Sequence, residues 1–311
     1  MKKLATLMLI TLSITTLITG CNEPDIDVQI PELMEHGPLP HGAKICIIGD
    51  TGMGNSGQWY VGKALAGEGC HHVRVLGDVI YPNGLEDSLD PQFQDKFYLP
   101  YKDLLEGGVP FYMIMGNHDF RGDPSAWLEL AQEHETIIFP NYFYAETWGD
   151  LCITSLETDV PSNAVQEYWA RNIPETLKEK GCRISIAMAH HPLVSVGKHG
   201  NAKGKLKEFI ENLIIGKYDL YITGHDHQLS DEGSIEGTQL LISGGGGGKL
   251  RKLKYEVKPG NFGLKAYGYL VLEIIRDAEG NPTVHYVFKK VKKNEVTPVW
   301  EKSLTPQGIR L

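Results

Sequence analysis

Five short polar segments, each directly after an apolar run typical of a buried strand, constrain this 311-residue chain more than any other feature. Ligand-binding side chains collect beyond the carboxyl ends of strands in open α/β sheets. The segments offer carboxylates, a phenol, an amide and imidazoles, which suit hard or borderline cations better than soft ones. They are Gly49-Asp50, Gly77-Asp78-Val79-Ile80-Tyr81, Gly116-Asn117-His118-Asp119, Ala189-His190-His191-Pro192 and Gly224-His225-Asp226-His227. The pattern therefore predicts that several strands deliver metal ligands to one edge of a sheet.

Strand-like and helix-like segments alternate from residue 44 onward. The predicted strands are 44–48, 72–76, 111–115, 151–156, 183–189, 218–222, 239–243, 267–275 and 283–290. The predicted helices are 58–67, 91–98, 125–134, 164–180 and 203–215, with Pro174 dividing the fourth. Alternation in the first half indicates a parallel sheet, and the last two strands, joined by a turn at 280–281, indicate an antiparallel hairpin. With 41% hydrophobic residues and no break in composition, the chain fits one large α/β domain.

The full set of segments resembles the calcineurin-like metallophosphoesterases, and within them the purple acid phosphatases, over essentially residues 43–250. Most members of that superfamily carry Asp-x-His in the first loop, whereas this chain has Gly52 two residues after Asp50. Purple acid phosphatases lack the same histidine and have a tyrosine three residues after the second aspartate, where Tyr81 stands. The small tartrate-resistant type is also similar at Gly107-Gly108-Val109-Pro110, Phe139-Pro140-Asn141-Tyr142-Phe143-Tyr144 and His199-Gly200. The resemblance implies an α/β fold, a four-layer α/β/β/α sandwich.

The resemblance further implies a dinuclear metal centre, in which Fe³⁺ is paired with a divalent ion (Fe²⁺, Zn²⁺ or Mn²⁺). The implied ligands are Asp50, Tyr81 and His227 for the first metal, Asn117, His190 and His225 for the second, and Asp78 as the bridge. Two cations would lower the pKa of a bound water, and the resulting hydroxide would attack phosphorus in line with the leaving oxygen. His118 and His199 are the candidate catalytic residues, as donors to the phosphate or to the leaving oxygen, and an imidazolium in that role favours mildly acidic pH.

The histidine doublet departs from the family pattern, which commonly has a tyrosine after the metal-binding histidine. Either His190 or His191 could be the ligand, although the position of Pro192 favours His190. His199 could also be an ordinary surface-loop residue between Lys198 and Gly200. The other histidines have no motif context and are expected to be solvated or packing residues: His36, His41, His71, His72, His134 and His285.

Five glycines, residues 244–248, follow a predicted strand without the Gly-Lys-Ser/Thr of a P-loop. Because cations such as Lys249 and Arg251 come next, the run is interpreted either as a mobile flap that meets an anionic substrate or as a flexible solvated loop.

The internal cysteines lack the CxxC spacing of a structural zinc site. Cys46 and Cys152 lie inside apolar strand-like runs and are expected to be buried thiols. Cys70 and Cys182 stand just before strands, so a disulfide between them is left open.

The N-terminal segment, residues 1–20, has the features of a signal peptide: Lys2 and Lys3, then an apolar stretch too short to span a bilayer. Ile18-Thr19-Gly20-Cys21 resembles a bacterial lipobox, which implies a lipidated Cys21 that anchors the protein to a membrane. Ordinary secretion, with Cys21 incidental, is the alternative. Asn22 in place of aspartate favours outer-membrane sorting. Residues 21–40 contain four prolines and are predicted to be an acidic tether, which leaves 41–311 as the catalytic domain.

The sequence thus predicts an exported, lipid-anchored acid phosphatase, at the outer membrane or the periplasmic face, that hydrolyses phosphate monoesters. Its formal charge of −9 argues against nucleic acid as a partner, whereas a small phosphorylated substrate is compatible because metals supply local positive charge. A phosphodiesterase or nucleotidase on the same site is the nearest alternative. A non-catalytic surface lipoprotein would predict loss of at least one ligand, and all seven are present. The sequence leaves the oligomeric state open.

Overall fold

Two mixed sheets, stacked face to face, form the centre of the molecule in the computed structural model, which describes residues 29–311. The strands are β1 Met34–His36, β2 Lys44–Ile48, β3 Cys70–Leu76, β4 Phe111–Ile114, β5 Ile137–Ile138, β6 Tyr144–Trp148, β7 Leu151–Ser155, β8 Ile184–Met188, β9 Leu220–Thr223, β10 Leu229–Ile235, β11 Thr238–Ser243, β12 Phe262–Leu264, β13 Gly268–Arg276, β14 Pro282–Lys292 and β15 Glu295–Leu304. The eight-stranded sheet has the order β1-β6-β7-β8-β9-β11-β10-β12, and the seven-stranded sheet has the order β15-β14-β13-β2-β3-β4-β5.

Helices cover the outer faces of both sheets. They are α1 Ser56–Ala66, α2 Pro91–Phe93, α3 Leu99–Glu106, α4 Ala126–Glu133, α5 Ala164–Glu179 and α6 Gly204–Leu213, with a π-helical segment Gln94–Tyr98 and a 3₁₀ turn Asp119–Arg121. Asparagine side chains cap the N-termini of two of them. Asn55 accepts from the amide of Gln58 at α1, and Asn163 accepts from the amide of Gln166 at α5. No helix in the described part of the chain is long and apolar enough to cross a bilayer.

Alternation along the central strands divides the core into two layers, because successive side chains point to opposite faces of a sheet. In β7, Leu151 and Ile153 belong to the cluster that joins the two sheets, whereas Cys152 belongs to the cluster with α5 and α6. β8 repeats this with Ile186 between the sheets and Ala187 toward the helices. The predicted four-layer α/β/β/α sandwich is therefore confirmed.

The structure confirms the predicted parallel pairing in the first half of the chain, where β2, β3 and β4 are parallel, and the predicted antiparallel β13–β14 hairpin. It also corrects several boundaries. Pro174 does not divide the fourth predicted helix, because α5 continues through it from Ala164 to Glu179. Residues 34–36, placed by the sequence in the tether, form β1 and pair with β6 in the sheet. The predicted signal peptide and Cys21 lie outside the described residues.

The expected free thiols and the open Cys70–Cys182 pairing are both wrong. Cys46 is bonded to Cys70, and Cys152 is bonded to Cys182. The first disulfide joins neighbouring strands β2 and β3, and the second joins β7 to the residues just before β8. The first closes a loop of 24 residues and the second a loop of 30, and loops of this length stabilise a fold by about 3.5 kcal/mol each in the chain-entropy description.

A buried ion pair connects the two sheets in the core between them. Arg74 of β3 donates from Nη1 to Glu146 of β6, and their side chains are 1% and 0% exposed. Trp148 Nε1 donates to the other oxygen of Glu146 at 3.0 Å. His36 and His72 stack on the Trp148 ring at centroid distances of 4.0 and 5.0 Å, so these histidines are packing residues, as the sequence predicts.

Candidate metal centre

The loops after β2, β3 and β9 bring the first group of predicted ligands together around the Tyr81 hydroxyl. Tyr81 Oη lies 3.1 Å from Asp50 Oδ1, 2.9 Å from Asp78 Oδ2 and 3.0 Å from His227 Nε2. His227 Nε2 is 3.5 Å from Asp50 Oδ1. All four residues are buried. Two carboxylates, a phenol and an imidazole thus face one point, although they are distant in sequence.

The second group lies on the other side of Asp78. His190 Nε2 is 3.4 Å from Asp78 Oδ1, and His225 Nδ1 is 3.2 Å from His190 Nε2. Asn117 follows β4, and its Oδ1 is buried with no hydrogen-bond partner among residues 29–311. Asp78 therefore directs one oxygen toward each group, which is the placement of a bridging ligand.

The strand ends bend sharply where they deliver these residues. Asp50, Asp78 and His225 have φ values of 58°, 51° and 68°, in the left-handed region that non-glycine residues seldom adopt. Such backbone strain persists only where surrounding contacts hold it, and it concentrates at functional sites.

Asp119 makes contacts that hold this strained backbone in place. Its buried carboxylate accepts from the amide of Val79 at 3.0 Å and from that of Gly116 at 2.9 Å. Val79 adjoins Asp78, and Gly116 adjoins Asn117, so Asp119 ties two ligand-bearing loops together. Burial and the neighbouring Asp78 raise the pKa of Asp119 to about 7.

Backbone carbonyls orient two of the imidazoles. His190 Nδ1 donates to Leu76 O at 2.7 Å, and His227 Nδ1 donates to Lys249 O at 2.9 Å. Because a carbonyl only accepts, the hydrogen is on Nδ1 in each ring and Nε2 faces the cluster. This outer hydrogen bond is typical of metal-binding histidines.

The electrostatics of the cluster require positive charge. Burial, with Asp78 nearby, raises the pKa of Asp50 well above its usual range. Burial and the two carboxylates also raise the pKa of Tyr81. Burial opposes the charge of His190, but Asp78 beside it raises the pKa of that imidazole to about 10. The protein without metal thus balances its carboxylates with a proton on His190, which a cation would replace.

The residues present fit two metal ions. Asp50 Oδ2 and Asn117 Oδ1 are buried without a partner in the described part of the chain, and such atoms are costly unless a ligand satisfies them. Two groups of carboxylate and imidazole atoms have the proximity of metal ligands, namely Asp50, Asp78 and His227, and His190, His191 and His225. The oxygen and nitrogen donors suit iron, zinc or manganese.

The geometry favours His190 over His191 as the ligand. His190 is fully buried and lies against both Asp78 and His225. His191 instead bonds through Nδ1 to Thr158 Oγ1 at 3.0 Å, and its ring lies 4.4 Å from that of His225. Burial and the neighbouring His190 lower the pKa of His191 to about 3, so it is a neutral wall of the centre.

His118 stands beside the cluster. Its amide donates to Asp78 Oδ1 at 2.8 Å, and its Nδ1 donates to Pro82 O at 2.5 Å. Its Nε2 is consequently turned toward the cavity and lies 4.0 Å from Asp78 Oδ2. Arg121 Nη1 lies 3.1 Å from the Nδ1 of the same ring.

His199 lies on the other side of the cavity and is held by Asp226. Asp226 Oδ1 accepts from the His199 amide at 3.0 Å and is 3.3 Å from Nδ1 of its ring. Ser195 Oγ donates to Oδ2 of the same carboxylate at 2.5 Å. His199 therefore belongs to the site and is not an isolated surface residue. The sequence reading missed Asp226, although it stands inside the Gly-His-Asp-His segment.

The mobility that both interpretations of the glycine run assumed is wrong, because residues 244–248 are buried and packed between ligand loops. The amide of Gly246 donates to Gly49 O at 3.0 Å, and that of Gly248 donates to Asp50 O at 2.6 Å. A Cβ atom on Gly248 would lie 2.7 Å from the His227 ring. Glycine is thus required by close approach, not by mobility.

A cavity of about 250 Å³ opens above the cluster. Two guanidinium side chains line it: Arg251, which the sequence placed among cations that meet an anionic substrate, and Arg121, which sequence reasoning did not assign to the site. The lining residues are Asp78, Asn117, His118, Arg121, His199, His225, His227 and Arg251.

Known proteins resemble this chain in both sequence and fold. Purple acid phosphatase 3 of Arabidopsis thaliana is 29% identical over 57% of this chain and 54% of its own length. Tartrate-resistant acid phosphatase type 5 of Oryctolagus cuniculus is 26% identical over 60% of this chain and 64% of its own length. The chain thus matches little more than half the length of these relatives.

Two solved structures share the fold. The structure titled GAP50, the anchor in the inner membrane complex of Plasmodium, has a TM-score of 0.69 at 19% identity, covering 88% of this chain and 90% of that one. PhoD has a TM-score of 0.57 at 13% identity, covering 88% and 72%. The family model of the calcineurin-like phosphoesterases matches residues 43–229, more than half of the sequence. The chain therefore belongs to the calcineurin-like phosphoesterase family.

Proposed function

We propose that this protein is an acid phosphatase that hydrolyses phosphate monoesters at a dinuclear centre of Fe³⁺ and a divalent ion (Fe²⁺, Zn²⁺ or Mn²⁺). The observation that carries the proposal is the convergence of Asp50, Asp78 and His227 on the Tyr81 hydroxyl, within 3.1 Å. A phenolate is a good ligand for Fe³⁺ and, in this position, replaces the histidine absent at Gly52. The named relatives, which are purple and tartrate-resistant acid phosphatases, support the same reading.

The chain assigns its ligands to two positions with one shared carboxylate. Asp50, Tyr81 and His227 hold the first metal, Asn117, His190 and His225 hold the second, and Asp78 bridges them. Two bound cations would supply Lewis-acid activation of water and would neutralise the charge of the phosphoryl oxygens.

The imidazoles of His118 and His199 act on the substrate from opposite walls of the cavity. Each has its Nδ1 held by an oxygen, Pro82 O for His118 and the Asp226 carboxylate for His199. Each Nε2 is thereby available to bond a phosphoryl oxygen or to pass a proton to the leaving oxygen. Proton donation by an imidazolium is the physical basis on which an acid phosphatase favours acidic pH.

Hydrolysis of a monoester, p-nitrophenyl phosphate, and a diester, bis(p-nitrophenyl) phosphate, tests the proposal. The pH is varied from about 4.5 to about 8, a range that brackets the reference pKa of imidazole, about 6.5. We expect monoester turnover that is greatest in acid and is abolished in Asn117→Ala, with Asn172→Ala on exposed α5 as the matched control. Preferential diester turnover would replace the proposal by a phosphodiesterase or nucleotidase on the same ligands. Bound metals without turnover of either ester would favour a binding module.

For the cellular location, we propose export and lipid anchoring through Cys21, at the outer membrane or the periplasmic face. The two disulfides support an oxidising compartment outside the cytoplasm. Cys21→Ser should release the protein from the membrane fraction of the cell. Retention of that variant in the membrane fraction would reject the lipid anchor.

A further inference from the structure

Strand β10 carries a row of buried polar side chains on the face turned away from the other sheet. Leu229 and Asp231 point between the sheets, where Leu229 belongs to the core and Asp231 accepts from Tyr286 of β14. Because side chains alternate along a strand, the residues on either side of these two share the outer face. This outer row consists of Gln228, Ser230 and Glu232, which are 2%, 0% and 8% exposed. Buried polar atoms are unfavourable unless they are bonded, so the partners of the outer row indicate its role.

The loop that leads to His199, residues 195–198, lies on the outer row. The amide of Val196 donates to Glu232 Oε1 at 3.2 Å, and Gln228 Nε2 donates to Ser195 Oγ at 3.4 Å. Neither Gln228 nor Glu232 lines the cavity above the metal centre. Their side chains therefore reach the candidate site through this loop.

Gly197 shows how closely the loop and the outer row approach each other. A Cβ atom at this position would lie 2.4 Å from Asp226 Cγ and 2.6 Å from Gln228 Oε1. The amide of Gly197 donates to Ser195 Oγ at 2.9 Å, which adds a bond within the loop. A side chain larger than hydrogen would lift the loop from the row, so close approach requires glycine here.

Hydrogen bonds connect the outer row to the carboxylate that holds the His199 ring. Gln228 Nε2 donates to Glu232 Oε1 at 3.4 Å, as well as to Ser195. Ser195 Oγ donates to Asp226 Oδ2 at 2.5 Å. Asp226 Oδ1 in turn lies 3.3 Å from His199 Nδ1. The bonds therefore run without a gap from the row to a candidate catalytic imidazole.

Glu232 weakens the fold where it stands. It is the extra residue of a β-bulge, because Asp231 and Gly233 pair with consecutive residues of β11. Its Oε1 accepts from Ser230 Oγ at 2.8 Å, and no cation in the described part of the chain forms an ion pair with it. Burial raises the pKa of this carboxyl to about 6. A buried carboxylate without a cation is costly, and bulges often aim a side chain beside an active site, so function explains this residue better than stability does.

We propose that Gln228 and Glu232 are positioning residues for His199. They hold the loop 195–198, and together with Asp226 they fix where the imidazole stands above the metal centre. This inference rests on the proposed phosphatase function. A displacement of about 1 Å in a catalytic group can slow a reaction about 100-fold, even when the altered contact is remote from the reacting atoms. The outer row therefore acts on the rate through His199.

Hydrogen–deuterium exchange of the metal-loaded protein tests the seating of the loop without turnover. Glu232→Leu should speed amide exchange in residues 195–199, with metal content and exchange in residues 78–81 unchanged. Glu232→Gln should exchange as the wild-type protein does, because its amide oxygen still accepts from Val196 N. Asp231→Asn is the matched control, since it alters a buried carboxylate that faces the other way on the same strand. Unaltered exchange of the loop in Glu232→Leu would overturn the proposal.

Rates provide the second measurement, with p-nitrophenyl phosphate as the substrate. Glu232→Leu should lower kcat about 10- to 100-fold with metals retained, and Glu232→Gln should restore most of the rate. Ser195→Ala is a smaller change in the same chain of bonds and should lower kcat at least about threefold, which keeps the test decisive if Glu232→Leu does not fold.

A His199→Ala background separates positioning from a general loss of structure. Neither Glu232→Leu nor Ser195→Ala should lower kcat further in that background, because the residue they position is gone. Equal losses with and without His199 would mean a merely structural role and would overturn the inference. Absence of turnover by the wild-type protein would instead contradict the proposed function, while the exchange measurement would still decide whether the outer row seats the loop.

Discussion

Replacement of Arg74 by methionine should destabilise the fold in a way that depends on pH. Glu146 would remain buried, with Trp148 Nε1 and His36 beside it but without the guanidinium. In the wild-type protein, burial opposes the charge of Glu146, but Arg74 and its neighbours hold the pKa of that carboxyl below 4.5, its usual value. Without Arg74, burial dominates and the folded-state pKa rises above that value.

The cost has an upper limit, because the buried carboxyl can take up a proton. In the unfolded chain the carboxyl has its usual pKa of 4.5, which is 2.5 pH units below pH 7. Each unit corresponds to about 1.36 kcal/mol, so keeping the carboxyl protonated in the folded variant at pH 7 costs about 3.4 kcal/mol. The folded variant keeps a proton that its unfolded chain loses above pH 4.5, so its stability falls as pH rises from that point. At pH 5 the same term is below about 1 kcal/mol. Lost stacking of Arg74 on the Tyr112 ring, 4.0 Å away, adds a part that does not vary with pH.

Urea unfolding between pH 5 and 8 measures these differences, with both disulfides intact. The matched control is Glu146→Gln, which leaves a guanidinium that cannot lose its charge, so its cost should be nearly constant over this range. Arg74→Met combined with Glu146→Leu should recover most of the stability, because Arg74 Nε and Nη2 have no partner within residues 29–311 and a buried pair of this kind contributes little. A pH-independent loss in Arg74→Met, or one under about 1 kcal/mol at pH 7, would refute the reasoning.

Three further predictions concern the candidate metal centre. Tyr81→Phe should remove visible colour from the iron-loaded protein, and an unchanged spectrum would exclude the phenolate as a ligand. Asp226→Ala should lower kcat roughly 10- to 100-fold with metals retained, because His199 loses the acceptor that holds its Nδ1–H; the same change should add nothing in a His199→Ala background. Gly247→Ala should cost about 1–3 kcal/mol in thermal unfolding, since its Cβ overlaps Thr51 O, and an unaltered transition would mean that the run can move.

The parts of the fold that were predictable are those whose signal is local. Apolar runs such as 44–48 and 184–188 are buried on both faces, so the sequence alone marks them as strands. The ligand residues follow such runs directly, which made their common edge predictable. β10 was missed because it carries buried polar side chains. Asp231 there accepts from Tyr286 Oη and from Trp300 Nε1, both at 2.9 Å, and those partners are distant in sequence.

The features that sequence reasoning misjudged depend on which segments become neighbours. A run of glycines has the composition of a loop, and only packing against Gly49 and His227 shows that residues 244–248 are immobilised. Cys46 was expected to be a thiol because its run is apolar, yet β2 and β3 adjoin and place Cys70 beside it. Arg251 was predicted either to meet an anionic substrate or to be solvated, and only the folded structure shows that it lines the cavity above the metal centre.

The proposed ligands are divided between the two sheets, so bound metals would join one sheet to the other. Loops of the seven-stranded sheet supply Asp50, Asp78, Tyr81 and Asn117, and loops of the eight-stranded sheet supply His190, His225 and His227. Each metal would thus be held from both sheets, so neither sheet could leave the other at this edge without releasing an ion. A metal whose free concentration is 100 times its dissociation constant stabilises the native state by about 2.7 kcal/mol. The Arg74–Glu146 pair joins the same two sheets without metal. A chain without metal therefore keeps this pair and the backbone bond from Gly246 to Gly49, and it lacks only what the ions would add at the ligand edge.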